Sequence, residues 1–171
     1  MEKFMGTRPT ASVEVIRDGK IVMMEIPLDE ITKDVKYAYS RGQCDELALA
    51  IHELKKWPMV AIFTAAKIKL PKEWDAEWDG RTVAELRAAY PKTWMNANRH
   101  TLVRTPNGGL LDIRGVKTHE YWRKEFDGSC AFLEITPKDI ADSLTVLKAH
   151  QPSNMDVARK IAPLVLKSYP I

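Results

Sequence analysis

The sequence predicts an α+β fold built around an antiparallel sheet. Two β-rich runs joined by Asp18-Gly19 indicate a hairpin over residues 13–26, because Asp-Gly is a favoured two-residue hairpin connection. Later strand and helix patterns are mixed without the regular alternation that parallel sheets require. The chain has 171 residues, 45% hydrophobic and 29% charged, a balance typical of one compact domain. We therefore expect a single α+β domain over residues 1–171, with residues 1–10 as a flexible tail.

The helix that opens at Cys44 is the clearest element of the sequence. Its apolar residues share one face, while acidic residues occupy its first turn and lysines its last, as the helix dipole favours. Trp57-Pro58 ends it. We expect this cysteine-bearing helix to pack on the sheet.

The remaining elements follow from short-range patterns. Thr82 and Glu85 resemble a capping box that opens a short helix, and Pro163 indicates a kink or an early end in the last helix. In chain order we predict a short helix over 28–37, a buried strand over 59–64, a helix over 82–90, a hairpin-like stretch over 100–112, a helix over 118–126, a strand over 131–135, a helix over 136–150, a break at 152–154 and a C-terminal helix over 155–168.

Charge and composition exclude several classes of function. The net charge is +3 on 26 basic and 23 acidic side chains, without a long Lys/Arg run, so nucleic-acid binding gains little support. No apolar run approaches the ~20 residues of a membrane helix, and the N-terminus lacks the pattern of a signal peptide. Two cysteines are too few for a disulfide framework or an all-cysteine zinc site. We expect a soluble cytoplasmic protein with no metal and no cofactor.

Cys44, His100 and Asp112 form the candidate catalytic set. A thiolate at a helix N-terminus is stabilised by the backbone N–H groups, and an imidazole needs a carboxylate to fix its tautomer. This predicts a lowered pKa for Cys44 and faster reaction than for Cys130. Each residue also has a structural interpretation, since Cys44 shares the apolar stripe of its helix, His100 could lie at a strand end and Asp112 could cap a turn.

The layout of residues 37–115 resembles the papain-like and transglutaminase-like cysteine enzymes. The segments that carry the resemblance are Gly42-Gln43-Cys44 at the head of a helix, Trp57-Pro58 before a strand, His100, Pro106-Asn107-Gly108-Gly109 and Leu111-Asp112-Ile113. The resemblance implies a papain-like layout in which Cys44 attacks, His100 accepts and returns the proton, and Asp112 orients His100. It also implies that the Cys44 backbone N–H is one oxyanion donor.

The chain departs from the papain pattern in two respects. The oxyanion glutamine of those enzymes lies several residues before the cysteine, where this chain has Ala38, so a second donor is unassigned and Asn96 and Asn98 are candidates. A tight turn at Asn107-Gly108 would also leave Asp112 opposite Val103, so a wider loop would have to bring it towards His100.

A tryptophan pair, Trp74 and Trp78, offers a different kind of site. The two indoles would share one face of a helical turn among acidic residues, either covering the core or anchoring a protein partner. The sequence thus supports two functions. The first is a thiol-dependent hydrolase or acyl-transfer enzyme acting on an amide or related carbonyl of a peptide or protein, and the alternative is a non-catalytic interaction or inhibitor protein on the same scaffold. The oligomeric state is not predicted.

Overall fold

The computed structural model describes residues 6–64, 82–92, 94, 98–126, 130–147 and 152–171. Trp74 and Trp78 lie outside these ranges. The elements are β1 (Thr10–Arg17), β2 (Lys20–Pro27), α1 (Lys33–Ser40), α2 (Cys44–Lys55), β3 (Met59–Thr64), α3 (Val83–Ala89), β4 (Asn98–Arg104), β5 (Leu110–Asp112), β6 (Gly115–Lys117), α4 (His119–Glu125), β7 (Cys130–Ile135), α5 (Pro137–Leu147) and α6 (Pro152–Ser168).

All strand pairs described are antiparallel, which confirms the α+β prediction. Five strands form a sheet in the order β6-β5-β4-β3-β7, and β1 and β2 form a separate hairpin. Asp18 and Gly19 both adopt positive φ, at 52° and 72°, as a tight two-residue turn between twisted strands requires.

The five-stranded sheet is buried on both faces. Alternation along β3 sends Ala61 and Phe63 into the larger core cluster, which α2, α6 and the β1–β2 hairpin complete. Val60 and Ile62 face a smaller cluster that includes Trp122 of α4. The unbroken apolar run of β3 follows from this burial. No helix among the described residues has both the length and the apolar composition needed to cross a bilayer.

The structure corrects two predicted helix bounds. The first helix begins at Lys33 instead of residue 28, because Thr32 caps it by accepting a hydrogen bond from the Val35 backbone N–H at 3.3 Å. The last helix begins at Pro152, where a break was predicted, since proline fits the first turn of a helix. It also continues through Pro163, which lies on the exposed side, where water can replace the missing backbone hydrogen bond.

The other predicted elements are observed within three residues of their expected bounds, except that the predicted end of the helix over 136–150 lies outside the described residues. The capping box of Thr82 and Glu85 is present in full. Strand β6 was not predicted. Its three residues carry too short a pattern to identify, and only its pairing with β5 reveals it.

Candidate active site

The candidate site lies where β5 ends beside β4. Strand β5 pairs with β4 only at Val103↔Leu111 and Arg104↔Leu110, although β4 itself extends back to Asn98. The edge of β4 at Thr101 therefore continues past the end of β5. We call this place, bounded by Thr101, Asp112 and Cys44, the strand-end notch.

His100 and Asp112 meet on the α4 side of the sheet. The His100 Nε2 lies 2.9 Å from Asp112 Oδ2, and both side chains are almost wholly buried. The loop between β4 and β5 is wider than a tight turn, so Leu111 takes the place opposite Val103 where a tight turn would put Asp112. This shift of one residue moves Asp112 onto the same face as His100, and the predicted pairing of the two side chains is present.

Arg114 completes the coordination of the Asp112 carboxylate. Its backbone N–H donates to Oδ1 at 2.8 Å, and its guanidinium donates to Oδ2 through Nε at 3.1 Å and Nη2 at 2.9 Å. The guanidinium also lies 4.7 Å from the centre of the Trp122 ring, which in turn contacts the His100 ring. The prediction missed Arg114, although an arginine two residues after the carboxylate was a usable signal.

The carboxylate of Asp112 is ionised at neutral pH. Burial by itself would raise the pKa of Asp112, but hydrogen bonds and positive charge from His100 and Arg114 outweigh burial and hold that pKa below its usual range. A carboxylate can only accept, so the bond from His100 requires a proton on Nε2. In the neutral imidazole, Nδ1 then carries a lone pair, and no described residue hydrogen-bonds to it. This is the form that a general base needs.

The sulfur of Cys44 lies at the open edge of β4. Backbone N–H groups of Thr101 and Asp45 donate to it. The Arg104 backbone N–H points to the β3 side, where it donates to the Pro58 carbonyl. Backbone N–H directions alternate along a strand, so the Thr101 N–H, three residues earlier, points to the β5 side. The sulfur therefore lies on the β5 side of β4, beside Thr101. Cys44 and Asp112 accordingly line one small cavity.

The environment of Cys44 raises its pKa, contrary to the prediction. Burial is the largest cause and the charge of Asp45 the next, and Asp112 adds to them. The two backbone donors act in the opposite direction without overcoming these effects. Cys44 is therefore a protonated thiol in this structure. Among the described residues, no hydrogen bond joins it to His100, whose ring faces α4 while the neighbouring Thr101 side chain contacts Asp45 of α2.

The amide side chains near Cys44 have other roles. Gln43 precedes α2, is buried, and donates from Nε2 to the Glu14 carbonyl at 2.7 Å, which ties β1 to the start of α2. Asn98 lines a second cavity with Asp45 and Trp94, and Asn96 lies outside the described residues. Over the described ranges, no three His, Cys, Asp or Glu side chains cluster as a metal site would require.

Comparisons with protein-family models, with curated proteins and with solved structures return no match for this chain. The papain-like layout and the catalytic roles of Cys44, His100 and Asp112 therefore stay predictions.

Proposed function

We propose that this protein is a thiol-dependent hydrolase or acyl-transfer enzyme acting on an amide or related carbonyl group of a peptide or protein. One observation carries the proposal: Asp112 Oδ2 lies 2.9 Å from His100 Nε2, and the same residue lines a cavity with Cys44. Nucleophilic catalysis uses a base that a third group orients, and the Asp112–His100 pair supplies such a base beside the cavity that Cys44 lines.

Because the Cys44 thiol is protonated at rest, the reaction needs a base. As the sulfur bonds to the carbonyl carbon, the thiol proton passes to His100 Nδ1 and the π electrons of the carbonyl move to its oxygen. When the adduct collapses, the C–N bond breaks and the leaving amine takes the proton from His100. Water, or another acceptor, then attacks the thioester by the same route and restores the thiol.

This sequence requires the Cys44 sulfur to approach His100 Nδ1 to hydrogen-bond distance. Catalytic hydrogen bonds are often long without substrate and tighten only in the complex. The position of the sulfur beside Thr101 supports such an approach, since β5 pairs with β4 only at Val103 and Arg104 and ends before that point.

The acyl donor p-nitrophenyl acetate tests the proposal. We expect a burst of p-nitrophenol and an acetyl group on Cys44, located by peptide mass spectrometry. Cys44→Ala and His100→Gln should abolish the burst, whereas Cys130→Ala, which removes the other thiol, should retain it. Acetylation of lysines alone, or a burst that survives His100→Gln in a folded protein, would contradict the proposal.

A second function, a non-catalytic interaction or inhibitor protein, is supported by the raised pKa of Cys44. A half-buried thiol that keeps its proton is also what packing alone produces. If Cys44 serves packing alone, Cys44→Ala should change the free energy of unfolding and leave any acyl-transfer rate unchanged. Trp74 and Trp78 stay its predicted partner site, and acrylamide quenching on single-tryptophan variants would report whether either indole is exposed.

A further inference from the structure

Tyr39 is a buried hydrogen-bond donor without an acceptor. Its side chain, on α1, is 0% exposed, and within the described part of the chain its hydroxyl has no hydrogen-bond partner. Leaving such a group unpaired destabilises the folded state, so an orphan hydroxyl in a native structure calls for an explanation. Burial also raises the pKa of Tyr39, so the hydroxyl keeps its proton and can only be a neutral donor or acceptor.

The location of Tyr39 supplies that explanation. It lines the same cavity as Cys44, Thr101 and Asp112. Its neighbour on α1, Tyr37, donates to the Ile16 carbonyl at 3.3 Å. Gln43, at the start of α2, has its amide nitrogen occupied by Glu14. Tyr39 thus lines the cavity beside Cys44, and its hydroxyl has no acceptor within the described residues.

We propose that Tyr39 is a catalytic residue that donates a hydrogen bond from its hydroxyl to the substrate carbonyl oxygen when Cys44 attacks. This inference rests on the proposed function and supplies the second oxyanion donor that the sequence leaves unassigned. In the step concerned, the C–S bond forms, the carbonyl π electrons move to oxygen, and the thiol proton passes to His100. Tyr39 keeps its proton throughout and stabilises the negative charge on oxygen.

The experiment compares two reactions of Cys44 in Tyr39→Phe. Acetylation by p-nitrophenyl acetate develops an oxyanion, whereas alkylation by iodoacetamide displaces iodide from a saturated carbon and develops none. Loss of one oxyanion donor lowers the rate by about 10²- to 10³-fold. We expect a fall of that order in acetylation and no change in alkylation, with a thermal midpoint equal to or above that of the wild type. Tyr37→Phe, the matched control, should leave both rates unchanged.

The outcomes separate this inference from the proposed function. Equal falls in both reactions of Tyr39→Phe would make Tyr39 a packing residue and overturn the inference. Unchanged acetylation in Tyr39→Phe, with acetylation abolished in Cys44→Ala, would overturn the inference and leave the proposed function standing. Absence of acetylation on Cys44 in the wild type would overturn both.

Discussion

The two sides of the strand-end notch differ in how their polar groups are satisfied. On the α4 side, Asp112 accepts hydrogen bonds on both oxygens from His100 and Arg114. On the α2 side, the Tyr39 hydroxyl has no acceptor within the described residues, and the Cys44 thiol lies among groups that disfavour its ionisation. The Asp112 carboxylate is fully hydrogen-bonded, although Trp122 Nε1 on the same side has no partner among the described residues, and the α2 side contains groups that a bound carbonyl could pair.

This difference separates groups that support the fold from groups that cost stability. A buried charge with complete hydrogen bonding fixes the geometry around it. Removing one partner leaves the remaining polar groups buried and unpaired, and their desolvation is then no longer compensated. A buried unpaired hydroxyl destabilises the folded state, which would be more stable without it. Unpaired groups of this kind are retained where activity requires them.

The largest expected effect is the loss of the Asp112 carboxylate. Asp112→Ala leaves the His100 and Arg114 side chains without their acceptor, so the free energy of unfolding should fall by about 3–5 kcal/mol. Urea denaturation measures the change. The control is Glu134→Ala, which breaks the exposed pair with Arg104 at 3.5 Å and should cost about 0–1 kcal/mol. Equal losses of unfolding free energy in the two variants would contradict the prediction that the buried Asp112 carboxylate supports the fold more than an exposed ion pair does.

Acid should remove the stabilisation that the Asp112 carboxylate provides, and it should do so in a defined pH range. The pKa of Asp112 is lowered on folding, so the unfolded chain binds this proton more readily than the folded protein does. The stabilisation is fully present above the unfolded value of ~3.9 and is lost as pH falls towards the folded pKa. Urea denaturation from about pH 5 downwards should show this loss in the wild type. Asp112→Asn should lack this acid-dependent loss of unfolding free energy. The same dependence on pH in the variant and the wild type would contradict the prediction.

The smallest effect concerns the charge beside the thiol. Asp45 contributes to the raised pKa of Cys44, so Asp45→Asn should lower that pKa and speed alkylation by iodoacetamide roughly several-fold at mildly alkaline pH. Asp34→Asn provides the control, because Asp34 occupies the same first-turn position on the neighbouring helix α1. A midpoint for Cys44 alkylation below the ordinary thiol value of ~8.5 would restore the original prediction of a lowered pKa.

The sequence by itself determined the features that depend on residues close together in the chain. Asp18-Gly19 specifies the first hairpin, and the pattern of α2 places Cys44 at a helix start. His100 and Asp112 are twelve residues apart and are joined by one hairpin, so their contact was also within reach of local reasoning.

Only the tertiary structure decided the chemical state of those residues. The pKa of Cys44 depends on how much water the packed helix and sheet exclude and on which carboxylates then face the sulfur, while helix position records only the dipole. Tyr39 lines the same cavity because α1 packs against α2, and α2 in turn packs on β5. Burial and the charge of Asp112 reach Cys44 from segments distant in the chain, which local spacing does not record, whereas the charge of Asp45 adjoins Cys44 in the sequence.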